Sequence, residues 1–274
     1  MKIDAIDVAD HYGDSELINR IFDGLSRAGI DRNELPADAL SPVEEFHIGG
    51  RQATIYALSK LALDKNQHVL DVGCGIGGAV RYLARHVGCD VSAIDLTPEY
   101  IAAAKVLTEM TGLDQRIRYH AGSALHMPYQ NENFDAGISM HVAMNIADRP
   151  SLYGEMARVL KPGAALCIYD VMKNNDQQIS FPLPWAESEK TSYLVSAESM
   201  HGLLQQAGFV IDDIEDRTDF ALEFFRDNLS AVPKPLGIHI VMGENAREKM
   251  QNTLANIKRG SIAPVQIIAR RVGL

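Results

Sequence analysis

The sequence predicts an α/β protein built on a mostly parallel sheet with helices on both faces. Three observations predict it. Beyond Gln67, short apolar runs alternate in order with segments of helical periodicity, the pattern of strands covered on both sides. A glycine cluster, Gly73, Gly75, Gly77 and Gly78, follows the first of these runs and opens a helical segment. A carboxylate, Asp95, closes the second run 22 residues after Gly73.

Each element has its own justification. Val8 to Arg27 carries Leu17, Ile18, Ile21, Phe22 and Leu25 at helical spacing, and Arg51 to Leu63 has Ile55, Leu58 and Leu61 inward. Residues 1–64 therefore read as a helical extension placed before the main domain, residues 65–274. Val69, Leu70 and Val72 make the first strand, and Val80, Leu83, Ala84 and Val87 form one helical face until Gly88 stops it. Val91 to Asp95 is the second strand. Thr97 can cap the next helix, with Pro98 at its first position, Glu99 at its positive end and Gly112 as its stop. Ile117 to His120 and Phe134 to Ser139 follow as strands. A helix is expected from Met144 to Leu160, then a Lys161-Pro162-Gly163 turn and a fifth strand, Ala164 to Val171. Ser196 caps a helix with Met200, Leu203, Leu204 and Ala207 inward, and Val210 to Ile214 and Val265 to Arg271 close the set at seven strands. Two connections are too long for a compact α/β domain, 172–193 and 218–262, and long insertions at strand ends usually cover a site. The second holds an amphipathic stretch, Glu244 to Arg259, suited either to cap the site or to form a homodimer contact.

Composition narrows the function. The 274 residues carry a formal net charge of -10 and no basic block, which disfavours nucleic acid as a partner. Three widely spaced cysteines suit a reducing compartment, and the cytoplasm is the expected location. Neither a secretory leader nor a membrane span is expected, since apolar runs are short and the first residues are rich in aspartate. The histidines and cysteines show no metal-ligand spacing, so no metal is expected. A small molecule is the expected partner.

The stretch Asp71-Val72-Gly73-Cys74-Gly75-Ile76-Gly77-Gly78 is the chemically informative one. Glycines let the backbone approach a ligand at a helix amino end, and Asp95 can accept hydrogen bonds from ribose hydroxyls, so an adenosine-containing ligand is indicated. Asp71 discriminates between such ligands. It would repel a pyrophosphate by about 1 kcal/mol in water and by more at a lower dielectric, whereas a cationic ligand such as S-adenosylmethionine would be attracted. Two alternatives stay open: Asp71 can simply hydrogen-bond its own glycine turn, and the glycine loop alone also suits an NAD(P)-dependent oxidoreductase or a non-catalytic nucleotide-binding protein.

The motifs VLDVGCGIGG, IDLTPEYI, GSALHMPYQNENFDAGIS and ARVLKPGAALCIYDVM resemble the successive motifs of class I S-adenosylmethionine-dependent methyltransferases, strongly over residues 66–171. The resemblance implies a Rossmann-like seven-stranded sheet with the last strand antiparallel and the cofactor over the carboxyl ends of the first strands. It further implies that Gly73 and Gly75, beside Asp71 and Cys74, line the methionine portion, Asp95 the ribose, Leu96 the adenine face, and Ser123 with Ala124 the adenine edge, with Met140 close by. Many relatives have aspartate where Ser123 stands, and a hydroxyl is the weaker acceptor. The resemblance is nearest to small-molecule enzymes, the sarcosine and dimethylglycine N-methyltransferases and the quinone and tocopherol C-methyltransferases. The signature of adenine and cytosine N-methyltransferases is absent after the fourth strand.

In such an enzyme the protein holds the acceptor near the methyl group, excludes water and removes a proton where needed. His141, directly after the fourth strand, is the candidate base, with hydrogen bonding to local backbone as the alternative. Asn145 can orient a substrate or cap a turn. Arg51, near a helix amino end where a cation needs an anionic partner, can anchor a substrate carboxylate or pair with Glu44 or Glu45 on the surface. His47 can reach the mouth of the site or cap its loop, and Tyr12 can fold over the cofactor, as in the resembling enzymes, or pack in the core. Trp185, in a proline-stiffened stretch, can present its ring to a cationic or apolar substrate or pack under a lid. N-methylation of an amine is the expected reaction, and O- or C-methylation of an aromatic or quinol the alternative.

Overall fold

The computed structural model describes residues 16–36, 38–229 and 234–273. The helices α1 (Glu16–Arg27), α2 (Ser41–Glu44) and α3 (Gly50–Ser59) precede the first strand. The sheet elements then alternate as β1 (His68–Val72), α4 (Gly78–Tyr82), β2 (Asp90–Asp95), α5 (Pro98–Met110), β3 (Ile117–Ala121), β4 (Phe134–Met140), α6 (Arg149–Val159) and β5 (Leu160–Lys173). The carboxyl-terminal third contains α7 (Ala197–Gln206), β6 (Phe209–Asp216), α8 (Thr218–Leu229), α9 (His239–Met242), α10 (Ala246–Lys258) and β7 (Ile262–Arg271). The strand order is β3-β2-β1-β4-β5-β7-β6, with β7 antiparallel to both neighbours and β1 to β5 parallel. This is the seven-stranded α/β sheet that the sequence predicts.

Alternation along β1 explains the two main cores. Leu70 and Val72 face one side with Phe134, Leu152, Tyr153 and Met156, and Val69 faces the other with Val80, Leu83, Val91 and Ile101. A smaller core joins α1 to α5, where Leu17, Ile18, Ile21 and Leu25 meet Ala103, Val106 and Leu107. Within the long connection 218–262 the described residues form α8, α9 and α10, and Ala221, Phe225 and Ile257 pack against Val171 and Ile262 at the strand ends. Gly49, with φ 94°, allows this: a Cβ there would stand 2.3 Å from the Phe220 ring of α8.

Several boundaries differ from expectation, each for a local reason. The helix expected over Met144 to Leu160 begins only at Arg149, because Pro150 belongs in a first turn and the Asp148 side chain accepts from Ser151 N at 3.1 Å to cap it. Residues 143–145 form a single 3-10 turn. The strand expected from Ala164 begins at Leu160, since the Lys161-Pro162-Gly163 segment is absorbed as a register shift opposite Phe134 to Ala136. The helix expected to reach Leu63 stops at Ser59, and Ala62 takes a positive φ of 36°. The expected helix from Val8 is described only from Glu16 onward, the residues before it lying outside the described part.

The loop before α3 presses on the amino end of α4. A Cβ on Gly78 would lie 2.6 Å from the Glu44 carbonyl oxygen, a backbone atom that cannot rotate away. Gly78→Ala is therefore expected to lower stability by about 1–3 kcal/mol, the usual cost of overpacking. Urea unfolding checks this, and unchanged stability would show that the two segments separate freely.

Candidate active site

A cavity of about 1550 Å³ opens at the carboxyl ends of β1, β2 and β4. Small-molecule sites run to roughly 300–1,000 Å³, so this one has room for a cofactor and an acceptor together. Its floor is the glycine loop between β1 and α4, its far wall the 44–51 loop, and its cover comes from 184–193, 220–229 and 234–253.

The loop's backbone donors are directed inward. Gly73 N and Cys74 N donate to the Ile94 carbonyl at 2.8 and 3.2 Å, Gly75 N donates to Asp95 Oδ2 at 2.9 Å, and Thr97 N to Asp95 Oδ1 at 2.9 Å. Asp95 is thus fixed by its own strand end, with acceptor capacity left over for a ligand. A Cβ on Gly75 would meet nothing within 4 Å, while one on Gly73 would strike Val142 at 2.2 Å. Gly75 leaves room for a ligand, and Gly73 lets the turn after β4 sit down on the loop.

Asp71 makes no hydrogen bond to that turn, whose N–H groups are spent on Ile94 and Asp95. It is 3% exposed, and its carboxyl is pushed up to about 8 by burial first, then by the charges of Asp95 and Glu45. A buried carboxylate among acids, facing a cavity and lacking a cation, fits a cationic ligand. Leu96 beside it is 74% exposed at the cavity wall, a free apolar surface of the kind an adenine ring covers. Cys74 is buried and bonds its sulfur to the Gly75 carbonyl at 3.7 Å. Ser123, Ala124 and Met140 line the same cavity, but the Ser123 hydroxyl also accepts from Leu125 N at 3.2 Å.

The opposite wall is a buried ion network. Glu44 accepts from both Arg51 and Arg81, and Arg51 Nε stands 2.7 Å from Glu45 Oε1. The side chains of Glu44 and Glu45 are only 3% and 2% exposed. Arg51 pairs with the residues expected of it, but in the interior instead of on the surface, and this leaves its guanidinium committed rather than free to anchor a substrate carboxylate. Burial pushes the Glu45 carboxyl up to about 7 despite Arg51. His47 lies in the same wall, its Nε2 3.2 Å from the Gly50 carbonyl and 3.1 Å from Thr54 Oγ1, and burial lowers it to about 4.

His141 faces this wall, its ring 6.0 Å from that of His47 and 5.1 Å from that of Tyr169. Its φ is 57°, its N–H donates to the Tyr169 carbonyl at 2.7 Å, and its Nε2 is buried with no partner. Burial, then His47, holds the imidazole well below its ordinary range, so it is neutral. Asn145 donates from Nδ2 to the Val142 carbonyl at 3.2 Å and so caps the turn while lining the cavity. Trp185 donates from its indole to Ser192 Oγ at 3.0 Å and packs beside Ile179, Leu194 and Phe224, with part of its surface on the cavity. Tyr12 lies outside the described residues.

The fold and this site define an α/β domain whose cavity lies over the carboxyl ends of the parallel strands. Residues 70–168 match the family model described as a methyltransferase domain, and the chain carries a class I S-adenosylmethionine-dependent methyltransferase domain, S-adenosylmethionine being the cofactor of that family. The chain is 29% identical over 167 residues to methyltransferase GfsG of Streptomyces halstedii, covering 61% of this chain and 58% of that one. It is 32% identical over 187 residues to phosphoethanolamine N-methyltransferase 3 of Arabidopsis thaliana, covering 68% of this chain and 37% of the relative. The chain thus spans well under two thirds of the length of these curated relatives. Its fold matches that of a candidate sarcosine dimethylglycine methyltransferase from Galdieria sulphuraria with a TM-score of 0.70, at 22% identity and covering 81% of this chain and 85% of that one. Among the described residues no helix is long and apolar enough to cross a membrane.

Sequence reasoning missed the residues that hold the candidate groups in place. Asp170, within the carboxyl-terminal part of β5, is 1% exposed and accepts from Val142 N at 2.7 Å and Ala143 N at 3.3 Å, bracing the turn that carries His141. The signal was available: Asp170 is the one acid within an otherwise apolar strand, β5, as Asp71 is in β1. Glu45 and Thr54 brace His47, and nothing in their spacing announces it.

Because Asp71 lies near 8 in the free protein and a neighbouring cation lowers it, uptake of S-adenosylmethionine at pH 7 is expected to release up to about one proton. Affinity then rises with pH up to about 8 and levels off. Calorimetry at pH 7 in buffers of different ionisation enthalpy reads the release, which Asp71→Asn should remove; buffer-independent heats for the unaltered protein would contradict the assignment.

Proposed function

We propose that this protein transfers a methyl group from S-adenosylmethionine to the nitrogen of a small amine. The observation that carries the reading is the pairing of a neutral imidazole, His141, with a cavity whose lining, apart from the paired Glu44, Glu45 and Arg51, holds five acidic side chains against two lysine or arginine side chains. Such a cavity attracts amines and disfavours anionic acceptors, and the imidazole can take the proton that an amine must lose.

The bound cofactor supplies an electrophilic methyl group on a sulfonium. This chain's residues would do the rest. Asp95 receives the ribose, Leu96 the adenine face, Ser123 and Ala124 its edge, and Gly73, Gly75 and Asp71 the cationic methionine portion, with Cys74 and Met140 beside them. Trp185 and the 218–262 segment would cover the acceptor and exclude water, and the amino-terminal residues 1–64, Tyr12 among them, would act as a lid. O- or C-methylation of an aromatic acceptor is a second reading, favoured by the apolar side chains of Ile48, Met144, Phe224 and Met250 on the same cavity.

The test is methyl transfer from labelled S-adenosylmethionine to matched panels of amines and phenols, and transfer confined to phenols would reject the nitrogen reading. His141→Ala is expected to lower turnover by about 10²-fold or more while S-adenosylhomocysteine affinity stays within a few-fold. Unchanged turnover would remove the base role. In a parallel titration the protein should bind S-adenosylhomocysteine and not NAD or NADP; tight uptake of a dinucleotide would overturn the cofactor assignment for this chain.

A further inference from the structure

The cavity is larger than a cofactor alone requires. Small-molecule sites reach roughly 1,000 Å³, so even a cofactor seat of that size leaves roughly 500 Å³ of the cavity's 1550 Å³ to the acceptor. Apolar side chains from five parts of the chain line that remainder. Ile48 follows His47 in the 44–51 loop, Met144 lies in the turn after His141, Trp185 and Tyr193 belong to the connection 172–193, and Phe224 and Met250 to α8 and α10. Ile48, Met144, Trp185, Phe224 and Met250 share one apolar cluster, and Tyr193 N donates to the Met144 carbonyl at 2.9 Å. Tyr193 is 40% exposed, and Trp185, Phe224 and Met250 are half-buried, so the wall keeps apolar surface that the protein itself does not cover.

Polar donors on the same wall are already engaged. Trp185 Nε1 donates to Ser192 Oγ at 3.0 Å, Thr253 Oγ1 to the Lys249 carbonyl at 2.8 Å, and Asn145 Nδ2 to the Val142 carbonyl at 3.2 Å. Charge follows the same pattern. Among the described residues, the lysine and arginine side chains on the cavity are Arg51, Lys234 and Arg247. Arg51 is held by Glu44 and Glu45, while Lys234 and Arg247 are exposed, where water and salt screen an ion pair. A carboxylate or phosphate brought into this space would lose hydration and gain no buried cation in return.

We infer that the acceptor carries a large, uncharged, hydrocarbon-rich body, which lies along Trp185, Tyr193, Phe224 and Met250 while its reacting atom faces the cofactor. This rests on the methyl-transfer reading above and adds to it the chemistry of the acceptor away from the methylated atom. Each methylene taken out of water against that wall strengthens binding by about fourfold. A small polar acceptor of equal reactivity leaves the wall wet and gains none of this.

The only tryptophan of the chain, Trp185, lies on the cavity, so its fluorescence reads occupancy directly, with calorimetry as a second readout. The whole chain, saturated with S-adenosylhomocysteine, is titrated with butylamine, hexylamine and octylamine, and separately with glycine and phosphoethanolamine. Kd is expected to fall by about tenfold for every two added methylenes, leaving octylamine about 10²-fold or more tighter than either polar amine. A Kd independent of chain length, no binding of octylamine, or glycine or phosphoethanolamine binding as tightly as octylamine would overturn the inference. Met250→Gln is expected to narrow the octyl-to-butyl ratio by about fivefold or more, and an unchanged ratio would overturn the seat assigned to the body. The nitrogen reading fails separately: methyl transfer to 4-octylphenol in preference to both octylamine and 4-ethylphenol would reject nitrogen and support the apolar body.

Discussion

The structure is organised around a carboxylate that has been taken out of water without a counter-ion. Asp71 is buried at the end of β1, its charged neighbours include Asp95 and Glu45, and Arg51 of the opposite wall and Arg81 of α4 are already held by Glu44 and Glu45. A group placed so is costly to ionise. The surrounding backbone gives it little relief, because Gly73 N and Cys74 N are given to Ile94, Gly75 N to Asp95 and Gly77 N to Cys74. What would relieve it is a ligand with positive charge entering the cavity. A cation beside Asp71 would favour its ionised form, and a diphosphate there would oppose it.

The acceptor wall is tied to the cofactor floor by a few close approaches. Glu44 accepts from Arg51 of the wall and from Arg81 of α4, the helix that begins at the glycine loop, so the two segments share one buried anion. The lack of a side chain at Gly78 lets the Glu44 backbone rest on that helix. Arg51 therefore acts as part of the scaffold, and its charge is consumed there. The titratable side chains left beside it on the cavity include His47 and His141, both held neutral by burial.

Much of this was legible in the sequence, and what was not has a common cause. The parallel strands announced themselves because both faces of β1, β2 and β4 are buried and read as unbroken apolar runs, and the glycine loop because positive φ angles at Gly73, Gly75 and Gly77 leave few residue choices. Asp71 and Asp95 stood out as acids at the ends of those runs. Asp170 carries the same signature but was read only as part of an apolar strand. His47 and Arg51 could be picked out as candidates, yet not their state, because that state depends on Thr54 and Glu45 coming together across a turn, and a hydrogen bond between side chains seven or nine positions apart leaves no periodic trace. The helix expected from Met144 failed for a different reason. Apolar spacing continued through Pro150, but the missing N–H and the Asp148 cap moved the helix start to Arg149.

That late start is what makes room for the turn carrying His141. A helix running straight on from β4 would have carried residues 143–148 away along its axis. Instead the chain bends at His141 with φ 57°, a conformation that strains a residue with a Cβ, and the bend is held at three points: the Tyr169 carbonyl, the Asp170 carboxylate, and Val142 pressed against Gly73. Strain kept by that many contacts has to be supported by the rest of the fold, and the contacts come from both halves of the site, β5 on one side and the glycine loop on the other. A ligand that settles the glycine loop therefore also settles Val142, and with it the imidazole one residue earlier. Cofactor seat and acceptor seat are in this sense a single packed unit, and a larger residue at Gly73 would disturb both at once.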